Sequence, residues 1–261
     1  MKKLGEFSDK IKYLLTDIDD TLTDEGLLGP EAYSALWNLH DSGIHVIPVT
    51  GRPAGWCEMI ARVWPVSGVI GENGGFYFRY NNKTMHRHYV VSTAEQKINR
   101  EKLNLIQSEI CKKIPGAAVA SDQFCRLMDL AIDFCEDVPR IPEADINQIV
   151  SIFKQHGAQA KVSSIHVNGW FGTYDKVTTS LLFLQNEFKL SPSEAKKHCA
   201  FSGDSPNDEP MFEFFLNSFA VANIAEFVPR LEHLPSFLAD SRGGKGFAEI
   251  AKQILKSNQL S

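Results

Sequence analysis

The chain has 261 residues, of which 43% are hydrophobic, and its formal charge is −5 with an isoelectric point near 5.9. A chain of this length can bury one large core and a smaller companion, so we expect two domains. The acidic balance gives no reason to expect nucleic acid or an anionic membrane as a partner, and no apolar run approaches membrane-spanning length. Five scattered cysteines form no CxxC pair, which favours free thiols in a reducing cytoplasm.

The first seventy residues alternate between apolar runs and amphipathic segments. The runs that predict strands are 11–16, 44–50 and 68–70, and the segments that predict helices are 31–41 and about 54–62. This β-α-β-α-β order predicts a parallel, doubly wound sheet with right-handed crossovers. A polar turn at Asn81-Asn82 then indicates a hairpin over 76–91.

The rhythm changes between about Val91 and Trp170, a stretch punctuated by prolines. There we predict helices over 94–114 and 143–156 and strands over 130–134 and 160–170. The α/β pattern then resumes with a helix over 176–188, strands over 198–202 and 218–222, and helices from Pro210 and over 246–255. We therefore predict a Rossmann-like core formed by residues 1–90 and 172–261, with residues 91–171 inserted as an α+β domain.

Two aspartates, Asp17 and Asp19, follow the first predicted strand. Open α/β sheets place their ligand sites at the carboxyl ends of strands, and residues two apart project to the same side of the chain. Clustered carboxylates repel each other unless a cation or a proton lies between them, so the spacing predicts a divalent metal. The alternative is an acidic turn or a helix N-cap at Asp20.

Two further segments offer groups that bind anions. Thr50, Gly51 and Arg52 follow the second strand, where a hydroxyl, an approachable backbone N–H and a guanidinium can together hold an anion. Lys176 opens a helix and adds a positive charge, although most lysines are solvated surface residues. A structural turn explains the first segment equally well when it is considered alone.

Asp204 and Asp208 lie in an acidic, glycine-containing loop after a later strand. They could bring metal-directed oxygens close to the first pair, or they could belong to a loop that caps the following helix. The four segments together favour the chemical interpretation, because each lies at a strand's end or a helix's start and each carries a group that phosphoryl transfer needs.

These four segments resemble the motifs of the haloacid dehalogenase superfamily of phosphohydrolases. In chain order, the matching segments are Asp17-Ile18-Asp19-Asp20-Thr21, Thr50, Lys176 and Gly203-Asp204-Ser205-Pro206-Asn207-Asp208. Their order and spacing match over essentially the whole chain. The insertion after the second motif is similar to the type IIB subgroup, whose α+β cap is of the C2B type. Within that subgroup the chain is similar to the sucrose-phosphate, mannosyl-3-phosphoglycerate and trehalose-phosphate phosphatases.

The resemblance implies a Mg²⁺-dependent phosphomonoester hydrolase that acts on a small sugar phosphate or related metabolite. Asp17 would form an aspartyl phosphate, and Asp19 would act as acid and then as base. The implied catalytic residues are Asp17, Asp19, Lys176 and Thr50; the phosphate-binding residues are Thr50, Gly51, Arg52 and Lys176; the metal site takes Asp17, the backbone carbonyl of Asp19, Asp204 and Asp208. The aspartate at position 19 argues against dehalogenation, which protonates no sugar alkoxide.

Substrate choice is expected to come chiefly from residues 91–171, called the cap segment below. Our candidate substrate contacts are Asn73, Arg126, His166, Asn168, Trp170 and Asn207. Polar groups and an aromatic ring suit a hydroxylated ligand. However, His166, Asn168 and Trp170 are alternate residues of one predicted strand, and they could equally face solvent.

The alternative function is a phosphosugar mutase of the same fold, which returns the phosphoryl group to sugar instead of water. A noncatalytic binding or regulatory module is a third candidate, although such a module would be expected to lack at least one of the chemical groups. The sequence leaves the sugar open, and it leaves the oligomeric state open because no heptad seam marks an interface.

Overall fold

A computed structural model describes residues 1–163 and 165–260. In chain order, its strands are β1 (Lys2–Lys3), β2 (Tyr13–Thr16), β3 (Thr23–Asp24), β4 (Leu27–Leu28), β5 (His45–Pro48), β6 (Val69–Gly71), β7 (Phe76–Asn81), β8 (Thr84–Tyr89), β9 (Ala118–Val119), β10 (Asp129–Asp133), β11 (Gln159–Val162), β12 (His166–Trp170), β13 (Cys199–Gly203), β14 (Asn217–Ala220) and β15 (Phe237–Leu238). The helices are α1 (Pro30–Asp41), α2 (Ala54–Val63), α3 (Thr93–Lys113), α4 (Glu143–Gln155), α5 (Lys176–Phe188), α6 (Pro192–His198), α7 (Glu209–Phe214) and α8 (Gly243–Leu260).

Six parallel strands form the main sheet in the order β1-β15-β14-β13-β2-β5. A parallel bridge between Val49 and Ile70 joins this sheet to the antiparallel meander β6-β7-β8. Strand β2 lies between β5, which follows it in the chain, and β13, which follows the cap segment. The doubly wound parallel sheet predicted from the sequence is therefore confirmed.

Residues of β2 alternate between the two faces of this sheet. Leu14 packs into a core that includes side chains of α1, α2 and α8. Tyr13 and Leu15 pack into a second core that includes side chains of α5, α6 and α7. Because both faces of β2 are covered, the strand can consist of apolar residues throughout, and its end is held rigidly in place.

The cap segment contains an antiparallel sheet in the order β11-β12-β10-β9. Helices α3 and α4 cover one face of it through a core of their own. The sequence predicts one strand over 160–170, whereas the structure has the hairpin of β11 and β12. The Ser163 hydroxyl accepts hydrogen bonds from the N–H groups of Ile165 and His166 near this turn. Ser164 lies outside the described residues.

Several short elements are absent from the predictions made on the sequence, namely β1, β3, β4, β9, β15 and α6. The strands β3 and β4 form a small hairpin directly after the first aspartate motif. Helix α6 begins after Ser191, whose hydroxyl accepts the N–H of Glu194 as an N-cap. Lys196 and Lys197 lie in its last turn. Within the described part of the chain, no helix combines the length and apolar character needed to cross a membrane.

Candidate active site

The segments singled out in the sequence meet at the carboxyl edge of the main sheet. Asp17 directly follows β2, Thr50 follows β5 by one residue, and Asp204 directly follows β13. The backbone N–H of Asp17 continues the ladder by donating to the Ser202 carbonyl at 2.8 Å. Parallel pairing of adjacent strands thus brings together residues that lie far apart in the chain.

Lys176, the first residue of α5, is buried among carboxylates. Its Nζ donates to Asp17 Oδ1 at 2.7 Å and to Asp208 Oδ1 at 2.8 Å. Burial alone would lower the pKa of Lys176, but the two carboxylates outweigh this effect and raise the pKa above its usual value. The lysine is therefore a fixed positive charge beside Asp17, and not a solvated surface residue.

Asp17, Asp204 and Asp208 form a buried cluster in which one oxygen of each residue lies within 4.8 Å of the others. Burial raises the pKa of Asp17 and of Asp204 well above the usual value, and repulsion from neighbouring carboxylates adds to the effect. When all three carboxyl groups are ionised, their three negative charges less the positive charge of Lys176 leave two negative charges to be balanced. Carboxylate oxygens are the ligands that Mg²⁺ prefers, so both the donor set and the charge fit a divalent cation.

The two oxygens of Asp208 already have partners. Oδ1 binds Lys176, and Oδ2 accepts the backbone N–H of Asp204 at 3.1 Å and that of Ser205 at 3.4 Å. Asp208 therefore orients the lysine and the loop. Asp17 and Asp204 are left as the side chains best placed to hold a metal ion directly, and Thr21 donates to Asp204 Oδ1 at 3.3 Å.

Asp19 faces a guanidinium. Nε and Nη2 of Arg52 lie 2.9 Å and 2.8 Å from Asp19 Oδ1. Nη1 of the same arginine donates at 3.1 Å to Glu136, which belongs to the cap segment. His166 Nε2 lies 2.9 Å from the second oxygen of Glu136. A chain of contacts thus runs from the core motif around Asp19 to the cap sheet.

The backbone around Gly51 is closely bordered by Asn73. A Cβ added to Gly51 would lie 3.4 Å from the Asn73 amide, which is ordinary van der Waals contact. The Asn73 amide nitrogen is buried and has no hydrogen-bond partner within the described residues. The Thr50 hydroxyl accepts the N–H of Arg52 at 3.0 Å and can still donate to a ligand. An oxyanion is a natural acceptor for these donors.

Glu72 and Arg126 join the cap segment to the core. The buried Glu72 carboxylate accepts the N–H of Ala54, at the start of α2, and those of Leu127, Met128 and Asp129 in the cap segment. Burial, with repulsion from Asp129, raises the pKa of Glu72 to about 7 despite these donors.

Arg126 donates to the Gly51 carbonyl at 2.9 Å and is paired with Asp122 and Asp129. Its guanidinium is thus largely occupied by protein groups. Asn168 is similarly engaged, since its amide donates to Asp129 Oδ2 at 2.9 Å. Both residues reach the site, but Arg126 also ties the cap segment to the core, whereas the Asn168 contact lies within the cap segment.

A small enclosed chamber of about 30 Å³ lies between the core loops and the cap sheet. It is lined by Asp17, Asp19, Gly51, Arg52, Asn73, Arg126, Ser163, Ile165, His166, Asn168, Asp204, Ser205 and Asn207. Five of the six candidate substrate contacts are in this set. Trp170 is not: it stacks against Tyr174, donates to that residue's carbonyl at 3.3 Å, and lines a separate cavity of about 80 Å³ beside Lys176.

Glu136 is a site residue that the sequence reasoning missed. It follows β10, and the Asp133 carboxylate at the end of that strand accepts the N–H of Cys135 and of Glu136. A polar residue just after a strand is the signal that could have identified it, since the same signal identified Asp17.

Comparison with known proteins agrees with this geometry. Residues 14–111 match the family described as haloacid dehalogenase-like hydrolase. A solved structure from Thermoplasma acidophilum has a TM-score of 0.75 at 20% identity, covering 97% of this chain and 100% of the other. No curated protein sequence matches the chain.

Two of the similar structures are sugar phosphatases. The sucrose-phosphatase of a Synechocystis species, solved with sucrose and phosphate, has a TM-score of 0.65 at 16% identity and covers 96% of this chain and 99% of its own. A subclass IIB sugar phosphatase has a TM-score of 0.63 at 14% identity, with 94% and 98% covered. At these identities the likeness establishes a common fold.

Proposed function

We propose that the chain, of which residues 14–111 match the haloacid dehalogenase-like hydrolase family, is a Mg²⁺-dependent phosphatase of a small phosphorylated metabolite, with sugar phosphates as the favoured class. The observation that carries the proposal is the buried cluster of Asp17, Lys176, Asp204 and Asp208. It combines a nucleophile, a fixed cation and oxygens suited to a metal within one site.

In the proposed reaction, an Asp17 oxygen attacks phosphorus while the ester P–O bond breaks, and the leaving oxygen takes a proton from Asp19. Asp19 then removes a proton from water, whose oxygen attacks the aspartyl phosphate. The bond from phosphorus to Asp17 breaks, which releases inorganic phosphate and restores both carboxyl groups to their starting states. One acid and base serves both steps because water enters where the first leaving group departed.

The transferring phosphoryl group carries negative charge on its equatorial oxygens, and the site offers groups to balance it. Lys176 supplies a fixed charge, Thr50 a hydroxyl, and Asn73 an unpartnered amide. When bound, Mg²⁺ would neutralise charge on the phosphoryl oxygens. Asp17 and Asp204 would hold it, with the backbone carbonyl of Asp19 as a further ligand in the proposal.

The cavities support a substrate with a sizeable hydroxylated leaving group. The chamber of about 30 Å³ holds only a few water molecules, so in this proposal the cap segment opens before a substrate enters. A wider cleft of about 840 Å³ shares Ser163, Asp204 and Ser205 with the chamber. It is lined by both acidic and basic side chains, including Glu143, Arg140 and Arg230. Such a mixed lining suits neutral hydroxyl groups, which can both donate and accept hydrogen bonds.

The test is Mg²⁺-dependent phosphate release from a panel of esters, with Asp17→Asn as the inactive control. The panel contains sugar phosphates, glycosylated glycerate phosphates, nucleotides and an aryl phosphate. Release from one or two sugar esters, lost in the variant and on removal of Mg²⁺, is the expected result. Near-normal release by Asp17→Asn would refute the assignment of the nucleophile.

Two other outcomes would redirect the proposal. An isomeric sugar phosphate formed without release of phosphate would indicate a mutase. No reaction with any ester, in a folded protein supplied with Mg²⁺, would favour a binding module. As part of the same proposal, we place the protein in the cytoplasm because all five cysteines are free.

A further inference from the structure

We propose that Glu136, in the cap segment, is a positioning residue for Asp19 and acts through Arg52; this inference rests on the proposed phosphatase function. The Arg52 guanidinium is anchored on three sides. Its Nε and Nη2 contact Asp19 Oδ1 at 2.9 Å and 2.8 Å, its Nη1 donates to Glu136 Oε1 at 3.1 Å, and its Cζ lies 4.4 Å from the Trp56 ring centroid. Removing Glu136 would free one edge of this planar group.

Glu136 is itself held in place. The Asp133 carboxylate accepts its backbone N–H at 2.7 Å, and His166 Nε2 lies 2.9 Å from its Oε2. The contact with His166 and the charge of Arg52 lower the pKa of Glu136 to about 2, against the opposing effect of burial. The residue is therefore a carboxylate throughout the neutral range, with one oxygen available for Arg52.

The anchored guanidinium fixes the orientation of Asp19. Both contacts reach Oδ1, and within the described residues no hydrogen bond reaches Oδ2. Asp19 lines the enclosed chamber, so Oδ2 is the oxygen left to exchange a proton with the leaving group or water. Since Glu136 belongs to the cap segment and Asp19 to the core, this arrangement is complete only while the cap segment lies over the core.

The nature of the leaving group distinguishes positioning of an acid from general support of the cap segment. An alkoxide leaving group needs a proton, whereas a nitrophenolate departs without one. Glu136→Gln should therefore lower kcat/KM, which reports only the steps up to departure of the leaving group, about tenfold for a sugar phosphate and by less than about twofold for p-nitrophenyl phosphate. Equal losses for both esters, or no loss for either, would overturn the proposal.

A double-mutant cycle tests the route through Arg52. If Glu136 acts through that arginine, Glu136→Gln should have no further effect on kcat in an Arg52→Gln background. A full, multiplicative effect there would contradict the proposal. The matched control is Glu101→Gln, which changes an exposed glutamate of the same cap segment, on α3, and should behave as wild type.

An NMR measurement tests whether Glu136 anchors the Arg52 guanidinium, independently of turnover. With ¹⁵N-labelled arginine, the Nε–H signal of Arg52, assigned by comparison with Arg52→Lys, should be sharp in the wild type and broadened or shifted in Glu136→Gln. An unchanged signal means that Glu136 does not anchor Arg52. If the wild type releases no phosphate from any ester, the proposed function fails, and the arginine spectrum still decides whether Glu136 fixes the guanidinium.

Discussion

Replacing Asp17 with asparagine should separate the catalytic use of its carboxylate from the cost of burying it. Asp17→Asn keeps the size of the side chain but removes both nucleophilicity and charge. We expect phosphate release to be lost, while the free energy of unfolding of the metal-free protein rises by about 1–3 kcal/mol. A loss of function accompanied by a gain in stability is the signature of a site that holds uncompensated charge.

The magnitude follows from the geometry of the cluster. At an effective dielectric constant of about 20, Lys176 Nζ at 2.7 Å attracts the Asp17 carboxylate by about 6 kcal/mol. Asp204 and Asp208, with oxygens within 4.8 Å, each repel it by about 3.5 kcal/mol. These terms nearly cancel, so the desolvation of the carboxylate, several kcal/mol for a buried ion, is left largely unbalanced. Losing the hydrogen bond to Lys176 offsets part of the gain.

Urea unfolding of the wild type and Asp17→Asn, with and without Mg²⁺, measures this effect beside an assay of phosphate release. The exposed Asp41→Asn is the matched control and should change stability by less than about 0.5 kcal/mol. Mg²⁺ should stabilise the wild type and have much less effect on Asp17→Asn. If the variant were less stable than the wild type without metal, the charge reasoning would be wrong and the pairing with Lys176 would dominate.

Three further predictions concern Lys176, the binding of Mg²⁺ and the buried Glu72. Lys176→Ala should lower kcat by about 100- to 1,000-fold and, by leaving two carboxylates unpaired, reduce the unfolding free energy by about 3–5 kcal/mol, both measurable in the same assays. Mg²⁺ at 100 times its dissociation constant should add about 2.7 kcal/mol to the stability of the wild type, and a chelator should reverse this and stop turnover. Glu72, with an ordinary pKa of 4.5 and a folded pKa of about 7, binds more protons in the folded state between these values. Stability should therefore fall by about 3 kcal/mol from this group as pH rises through that window, and urea unfolding of Glu72→Gln should lack the contribution.

The core of the site could be predicted because its signals are local. Asp17, Thr50 and Asp204 each follow an apolar run that can only be a buried strand, and parallel strands share one carboxyl edge. The position of Lys176 could be predicted because it is the first residue of a predicted helix. What could not be predicted depends on three-dimensional contacts between segments, such as the approach of Glu136 to Arg52 across 84 positions of the chain.

The cap segment shows the same limit in another form. Strand alternation correctly places His166, Asn168 and Trp170 on one face of β12, opposite the face that packs on α4. Alternation cannot say whether that face meets water, a ligand or the core. In the structure His166 and Asn168 line the chamber. The Trp170 ring does not line it, because it stacks on Tyr174, four residues further along the chain.

The polar character of this face has a consequence for how the protein works. The apolar core of the cap segment lies on the other side of its sheet, around α3 and α4, and does not have to be broken when the cap segment moves. The contact on the core side combines ionic and backbone contacts, chiefly those of Glu72, Arg126 and Arg52, with apolar contacts of Met128 and Trp170, which pack into the hydrophobic cluster of the core. The ionic and backbone groups regain hydrogen bonds to water when they separate, so separating them costs far less than exposing an equal apolar area. A chamber too small for a sugar is therefore compatible with the proposed turnover, because many of the contacts around it are of the kind that water can replace.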